Sequence, residues 1–344
     1  MNREYLLPHI SCKLSLVVLL LLLPGIVFSL GHVENREVVV VESLRGPTGL
    51  GIAKLAGDNP ILPGELDVEY RFSSAPDVTV SNVLSGEADI AALPTNVAAR
   101  LYSSGVPYRV LAVNTLGVLY IVSTNPDIED LGDLEGRELL VSGRGANPDI
   151  ILQALLEGRE IDPEEDLSIS YVNHTEAAQL LLSGREESAL LPEPFVTRVL
   201  QQNPEARVAV DIQDEWQRQL GRGSTIGLGC LVIHERLVEE EPAFVATFLE
   251  EYLASIDWVR ENPEQAGPIV EALGIGFSAA EAQAAIPRSN LVGLVGSAAH
   301  RAIGPYFRAL YAFDPASLGG SLPGSDLFVM PEELGGLFDP DTRN

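Results

Sequence analysis

Groups that could carry out catalysis are sparse in this 344-residue chain. His174, His234 and His300 stand apart from one another, and the chain contains no paired cysteines, phosphate-binding Walker loop or nucleophile elbow. A general acid and base would have to come from His174 and Glu193, and a packed or solvated histidine is the alternative for His174. Because Gly143-Arg144-Gly145 lacks the third glycine of a dinucleotide fingerprint, it gives no support for NAD. We therefore expect no catalytic residue, no metal site and no cofactor.

Residues suited to binding a ligand recur where helices are predicted to begin. Gly46-Pro47-Thr48-Gly49 leaves room for a ligand to approach main-chain N–H groups. Asn147 is predicted to cap a helix that has Pro148 in its first turn, and Thr95-Asn96 and Thr175-Glu176 are comparable starts. Helix starts of this kind bind anions through free N–H groups, and the alternative for each is that the cap only ends its helix.

Three charged side chains in these loops are candidates for recognising a solute. Pro192 and Pro194 restrict the backbone around Glu193 and direct its carboxylate. That carboxylate is predicted either to accept a hydrogen bond from a ligand or to connect two lobes of the protein. Arg45 and Arg144 could pair with a ligand carboxylate or sulfonate, or could be solvated loop residues.

The chain contains two copies of one pattern, 98 positions apart. In the first copy Leu84-Ser85-Gly86 is followed by Ala92 to Asn96, and in the second Leu182-Ser183-Gly184 is followed by Leu190 to Pro194. Each copy combines the end of a helix, a short apolar strand and a proline. The repetition predicts two lobes with one plan, and α/β lobes of this kind bind ligands beyond the carboxyl ends of their strands.

Strand and helix patterns alternate along most of the chain, which predicts an α/β fold of parallel βαβ units. The predicted strands are Arg36–Val41, Val68–Phe72, Asp89–Leu93, Tyr108–Val113, Val118–Val122, Glu138–Val141, Leu167–Tyr171, Ser188–Leu191 and Leu228–Ile233. Crossovers near 117–122 and 221–229 predict a discontinuous first lobe, 33–117 and 228–313, around a second lobe, 118–227. Residues 314–344, rich in Gly, Pro and Asp, are predicted to form a surface extension or a loosely ordered tail.

Composition excludes several classes of partner. The formal charge of −27 disfavours nucleic acid and anionic membrane surfaces, while 46% apolar residues are enough for a core in each lobe. Within Gly229 to Ile233, Cys230 is predicted to be a buried thiol, with a reactive cysteine as the alternative.

The first 29 residues have the pattern of a secretory signal peptide. Leu14 to Leu23 is almost wholly apolar, about half of the roughly 20 residues that span a bilayer, and small residues follow it. An uncleaved anchor is the alternative. Because Cys12 precedes the apolar run, a lipid anchor is not supported. We expect a periplasmic or otherwise extracytoplasmic protein.

Several of these segments together resemble the substrate-binding proteins of ABC importers, in the group related to nitrate, sulfonate, taurine and thiamine-pyrimidine binding proteins. The segments are Ser43 to Gly49, Ala92 to Asn96, Thr115 to Tyr120, Gly145 to Pro148, Leu191 to Phe195, Ile286-Pro287 and Asn290. The resemblance implies a two-lobed type II periplasmic-binding fold, in which each lobe is a mostly parallel sheet flanked by helices, with a two-stranded hinge. Carried over by position, it implies ligand contacts from Gly46, Pro47, Thr48, Gly49, Thr95, Asn96, Thr115, Ala146, Asn147, Glu193 and Asn290.

The same resemblance implies a function. A monomeric receptor would capture a small organic solute or anion between its lobes and deliver it to a membrane permease with its ATPase. The alternatives are an enzyme on the same scaffold, of the pyrimidine-synthesis or dehydratase type, and a ligand sensor for a membrane receptor. No clear anion-clamping set of side chains is visible, so the sequence leaves the solute open.

Overall fold

The computed structural model describes residues 37–338 except Glu65, Ser74, Ala75 and Gly223. The predicted signal peptide, 1–29, and the last residues of the extension lie outside the described residues. Within the described part, every helix is too short or too polar to cross a lipid bilayer.

Eleven strands are present among these residues. They are β1 Glu37–Leu44, β2 Leu66–Ser73, β3 Ile90–Pro94, β4 Tyr108–Leu116, β5 Leu119–Ser123, β6 Glu138–Ser142, β7 Ser168–Val172, β8 Ser188–Pro192, β9 Arg207–Asp211, β10 Gly227–His234 and β11 Leu291–Leu294. All nine predicted strands form, with bounds that differ by one to three residues. β9 and β11, which are short, were not predicted.

Thirteen α-helices accompany the strands in the described part of the chain. They are α1 Pro47–Leu50, α2 Ala53–Asp58, α3 Pro76–Ser85, α4 Thr95–Ser103, α5 Asn147–Glu157, α6 His174–Leu182, α7 Phe195–Gln202, α8 Ile212–Leu220, α9 Glu235–Glu240, α10 Pro242–Glu261, α11 Pro263–Ala272, α12 Ala279–Ala285 and α13 Gly296–Phe313. Short 3₁₀ turns occur at Leu131–Leu134, Ile286–Arg288, Pro315–Leu318, Ser325–Leu327 and Pro331–Leu334.

The strands form two sheets, as the resemblance predicts. The first has the order β11-β4-β10-β3-β1-β2 and the second β7-β6-β8-β5-β9. β1 is parallel to β2 and β3, whereas β10 is antiparallel to both β3 and β4. β6 is parallel to β7 and β8, and β5 is antiparallel to β8 and β9. The predicted fold class, α/β with two sheets flanked by helices, is confirmed.

Local sequence explains the longest elements. Val38–Val41 is a run of β-branched residues, and three of its four side chains are buried, as expected for a strand in the interior of a parallel sheet. In α10, Val245, Phe248, Leu249 and Tyr252 recur at helical spacing and are all buried. These local patterns are sufficient to specify that the first segment forms a strand and the second a helix.

Two segments connect the sheets. Gly117 and Val118 alone separate β4 from β5, and the chain returns from α8 to β10 through residues 221–226. Asn114 to Leu116, predicted as part of the loop, instead extend β4, because Thr115 pairs with both Gly229 and Leu291. The two strands next to these connections, β4 and β10, are paired from Leu116 with Gly227 to Tyr108 with His234, with register shifts between them.

The segment after α13 is not a loosely ordered tail in its described part. Leu318, Leu327, Phe328 and Leu334 are buried, and Val329 N donates to Val110 O of β4 at 2.9 Å. Arg109 on β4 binds the segment by donating from Nη1 to Glu333 Oε2 at 2.6 Å and from Nη2 to Glu333 Oε1 at 2.8 Å. The composition of the segment concealed this packing, because its few apolar residues are separated by Gly, Pro and Asp.

Candidate functional site

The carboxyl ends of the parallel strands in the two sheets face each other. β1, β3 and β4 run in one direction, so their ends lie at one edge of the first sheet. β6, β7 and β8 likewise end at one edge of the second sheet. Because only two residues separate the end of β4 from the start of β5, these edges meet at the crossover. The gap between them is the candidate binding cleft, and helices start on both sides of it.

On the first sheet's side, the loop Arg45–Gly49 follows β1. Gly46 has φ 110°, a conformation that favours glycine, and its N–H donates to Ile275 O at 2.9 Å. Thr48 O accepts a hydrogen bond from Asn114 Nδ2 at 3.4 Å. Gly49 is buried, and a Cβ there would lie 2.6 Å from Leu44 O. Gly49 therefore permits close packing of the loop, while residues 46–48 are its half-exposed part.

Two predicted contact residues use their hydroxyl groups inside the protein. Thr95, the first residue of α4, is fully buried and donates to Gly227 O. Thr115 is buried and donates to Asn114 Oδ1 at 3.0 Å. Neither side chain is open to a solute in this arrangement. Both hold the walls of the cleft in place.

Asn96, next to Thr95, is different. Only 7% of the residue is exposed, and its Oδ1 has no hydrogen-bond partner among the described residues. α4 also has no side-chain cap at its start. A buried amide oxygen without a hydrogen-bond donor is energetically costly. Such an oxygen indicates a position where a ligand can supply the missing donor.

The second sheet's side contains a matching start at α5. Ala146 rather than Asn147 is the N-cap, and it is exposed and supplies no side-chain cap. Asn147 Oδ1 is buried without a partner. The preceding loop is held by Asp149, whose Oδ2 accepts from Gly145 N at 2.7 Å and whose Oδ1 accepts from Tyr171 OH at 2.8 Å. The first turn of α5 is thus rigid and open at its N-terminus.

The two arginines proposed as ligand partners lie in loops at the cleft edges. Arg144 places its guanidinium 4.8 Å from the ring centre of Tyr171, beside a surface cavity of about 770 Å³ that also contains Asp162 and Glu164. Arg45 is exposed, and its main-chain N donates to Ser73 O at 2.8 Å.

His174, at the start of α6, lies among the ends of three strands. Its Nε2 is 3.1 Å from Ser142 Oγ, and its ring centre is 5.3 Å from that of Phe195. Its Nδ1 is buried without a partner, and burial lowers the pKa of His174 to about 4. The imidazole is therefore neutral at physiological pH. The capping residue of α6 is Asn173, not Thr175, since Asn173 Oδ1 accepts from Glu176 N.

Glu193 is fully buried, and both of its oxygens have protein partners. Oε1 accepts from Arg288 Nε at 2.6 Å, and Oε2 accepts from Thr197 N at 3.1 Å. In this structure the carboxylate therefore connects the start of α7 to Arg288, in the 3₁₀ turn after α12. Glu193 is also committed to Arg288 rather than to His174, so the two do not form an acid–base pair here. Asn290, with φ 41°, donates to Gly117 O at the crossover.

Sequence reasoning did not identify Arg288. It lies 95 positions after Glu193, and no local motif indicates that the two meet. The only available signal was the buried position of Glu193 between two prolines, which requires a cationic partner.

The geometry of the cleft favours an anion. The starts of α4 and α5 carry no side-chain cap, whereas the Glu193 carboxylate, which precedes α7, already accepts a hydrogen bond from Thr197 N in the first turn of α7. Uncapped N–H groups and the helix dipole together attract negative charge. Among the described residues no group of three or more His, Cys, Asp or Glu could hold a metal ion.

Comparison with known proteins agrees with this geometry. The family of ABC transporter, phosphonate, periplasmic substrate-binding proteins matches residues 64–252. No curated protein matches the chain.

Solved structures of low sequence identity share the fold. An ABC transporter protein from Parabacteroides distasonis is 24% identical with TM-score 0.71, covering 85% of this chain and 98% of that one. The periplasmic aliphatic sulphonate binding protein SsuA from Escherichia coli is 15% identical with TM-score 0.68, covering 87% and 99%. The alkanesulfonate-binding protein SsuA from Xanthomonas axonopodis pv. citri, bound to MOPS, is 12% identical with TM-score 0.59, covering 86% and 97%. Because the family match covers more than half of the sequence, the chain belongs to the periplasmic substrate-binding proteins of ABC transporters, in the phosphonate-binding family.

Proposed function

We propose that this protein captures a small solute with a tetrahedral oxyanion group, a phosphonate or a sulfonate, between its two lobes. It then delivers the solute to a membrane permease driven by an ATPase. The lobes are those predicted from the sequence, 33–117 with 228–313 and 118–227, and residues 1–29 export the chain. The protein binds its solute without turning it over.

The observation that carries the proposal is the pair of uncapped helix starts, α4 and α5, on opposite sides of the cleft. Each combines free main-chain N–H groups with a buried asparagine oxygen that has no partner, Asn96 Oδ1 and Asn147 Oδ1. A phosphonate or sulfonate has three oxygens around one centre and can accept hydrogen bonds from both sides at once. The family name and two of the structural relatives refer to solutes of this type.

The side chains of Asn96 and Asn147 indicate which hydrogen-bonding groups the solute can carry. An amide offers an oxygen acceptor and an NH₂ donor, and the two are exchanged by rotation of the amide. With NH₂ directed to the cleft, Asn96 and Asn147 add donors for the oxyanion. With oxygen directed there, they accept from a hydroxyl or ammonium group elsewhere on the solute.

The predicted site residues fall into three groups in this proposal. Gly46, Pro47, Thr48, Asn96, Ala146 and Asn147 contact the solute, mostly through main-chain atoms. Gly49, Thr95 and Thr115 support the first wall, and Glu193 and Asn290 connect the lobes. The overall charge of −27 does not oppose this assignment, because a bound anion responds mainly to the nearest N–H dipoles.

Thermal unfolding of the chain from Leu30 onward, with and without candidate solutes, tests the proposal. The panel contains methylphosphonate, 2-aminoethylphosphonate, ethanesulfonate, taurine, phosphate, sulfate, nitrate and a thiamine pyrimidine. A solute at a hundred times its Kd stabilises the folded state by about 2.7 kcal/mol. We expect stabilisation by a phosphonate or sulfonate, with the solute recovered unchanged by NMR. Stabilisation by the pyrimidine alone, or conversion of the solute, would contradict the proposal.

A further inference from the structure

Two ion pairs connect the second lobe to the segment between α11 and β11. Arg288, in the 3₁₀ turn after α12, donates from Nε to Glu193 Oε1 at 2.6 Å and from Nη2 to Thr197 Oγ1. Arg198 on α7 donates from Nε to Glu281 Oε1 on α12 at 2.7 Å. We call these five residues the interlobe bridge.

The two sides of the interlobe bridge belong to different hydrophobic cores. Ala282 and Ala285 of α12 are buried in the core that contains Val39 of the first sheet. Val196 and Val199 of α7 are buried in a separate core that contains Leu140 of the second sheet. Between α7 and α12 the contact is therefore made by charged and polar groups, which can separate without opening either of these two cores. A third core, which contains Val113 of β4 and Leu139 of β6, includes residues of both sheets.

Each partner is fixed on its own side. Glu281 caps α12 in a reciprocal pair with Ser278, and a Cβ at Gly267 of α11 would lie 2.4 Å from Ala279 O, so α11 and α12 are tightly packed. On the other side, Glu193 holds the first turn of α7 through Thr197 N. Because both partners are rigidly placed, movement of α7 away from α12 has to break the ion pairs rather than stretch them.

The arginine side chains of the interlobe bridge are partly exposed, as expected for ion pairs that can be broken. The Glu193 side chain is fully buried, whereas the Arg288 side chain is 37% exposed, and those of Arg198 and Glu281 are 28% and 19% exposed. Water can reach the arginines when the lobes part, so separation does not leave isolated charges in a dry interior.

We propose that the interlobe bridge is a latch that stabilises the closed arrangement of the lobes and so raises the affinity for the solute. The inference rests on the proposed function, since a latch matters only if the lobes open and close. Apparent affinity is the intrinsic affinity multiplied by the fraction of molecules in the competent arrangement, so loss of the latch weakens binding without any change at the contact residues.

The test uses Arg198→Gln, Glu281→Gln and the double variant, because glutamine keeps the reciprocal cap of α12 while removing the charge. Glu333→Gln is a matched control: Glu333 also closes a reciprocal cap and pairs with an arginine, but it does not connect the lobes. Spin labels at Ser81→Cys and Glu165→Cys, both exposed and on different lobes, report the distance between the lobes by pulsed EPR. Methylphosphonate is the probe for affinity.

We expect both single variants to increase the population with the longer label distance and to weaken methylphosphonate binding by about threefold or more. The double variant should be no weaker than the singles, because the two residues act through one contact. Arg288→Lys, which keeps the charge but loses the paired N–H geometry, should show the same direction of change.

The latch is refuted if Arg198→Gln and Glu281→Gln give the same distance distribution as Glu333→Gln. If the unsubstituted labelled chain does not bind methylphosphonate, the proposed solute is wrong for this probe, and the label distances still decide the latch. The two proposals therefore fail in different measurements.

Discussion

The hydroxyl of Thr95 donates a hydrogen bond to the carbonyl oxygen of Gly227. Thr95 is the first residue of α4, and Gly227 is the first residue of β10, the strand that returns from the second lobe. Both residues are buried, and Ile303 packs so closely that a Cβ on Gly227 would lie 2.4 Å from it. This contact places the start of α4, with Asn96 beside it, at a fixed position relative to the hinge.

Replacing Thr95 by Val should destabilise the protein. Valine has the same shape but leaves the Gly227 carbonyl oxygen buried without its donor, which costs about 1–3 kcal/mol. Thr95→Ser keeps the hydroxyl and is the matched control. Urea unfolding measures both, and equal free energies of unfolding for the two variants would show that the hydrogen bond is unimportant.

Replacing Asn147 by Asp should abolish solute binding without a comparable loss of folding stability. A carboxylate in the first turn of α5 gains about 0.3–1 kcal/mol from the helix dipole. This gain is offset by the cost of placing a charge at the buried, unpartnered position of Asn147 Oδ1, near Asp149, so stability should fall slightly while the chain stays folded. The same charge repels an oxyanion at that helix start, and we expect phosphonate or sulfonate binding to be lost. Calorimetric titration with the solute found in the panel measures the affinity.

Ala243→Asp provides the control for that charge. Ala243 is exposed in the first turn of α10, which carries no acidic residue there. Asp at this position adds the same charge to a helix start that does not border the cleft. Loss of binding in Ala243→Asp as well would point to the overall charge rather than to α5.

His174 should make stability depend on pH between about 6.5 and 4. Burial lowers its pKa to about 4 in the folded state, so in this window the unfolded chain takes up a proton that the folded chain does not. Stability from this source is present above pH 6.5 and is lost as the pH falls towards 4. The slope is at most about 1.4 kcal/mol per pH unit.

His174→Gln keeps a group that can bond to Ser142 and does not titrate. The difference in unfolding free energy between the original chain and this variant should therefore decrease as the pH is lowered through that window. Carboxylates contribute to both chains and cancel in the difference. A difference that is constant with pH would show that His174 is protonated as readily in the folded state as in the unfolded chain.

Phe328 should be a large contributor to stability even though it lies in the C-terminal extension. Its side chain is fully buried, and the next residue, Val329, donates a hydrogen bond from its main-chain N to Val110 O of β4. Phe328→Ala should cost about 3–5 kcal/mol by creating a cavity. Leu322→Ala in the same extension, at an exposed position, should change stability by about 0.5 kcal/mol or less. Similar losses in both variants would contradict the packing described above.

The order of strands and helices was determined by the sequence to a large extent. Hydrophobic patterns are local properties, so nine strands and the long helix α10 were predicted from neighbouring residues alone. The two-lobed plan was predicted from a pattern that recurs 98 positions apart. Two strands at sheet edges were missed: β11, which at four residues is the shortest, and β9. The motifs at strand ends were also local, and they indicated the family and the cleft.

Tertiary structure decided which of these motif residues have hydrogen-bond partners inside the protein. Thr95, Thr115 and Glu193 were predicted as contacts from their positions, but each is bonded inside the protein. Asn96 and Asn147, in contrast, each have a side-chain oxygen without a hydrogen-bond partner among the described residues. A hydrogen-bond partner far away in the sequence depends on how the sheets and crossovers bring distant segments together, and that information is absent from any local pattern. For the same reason Arg288 and the packing of Phe328 became visible only in the folded chain.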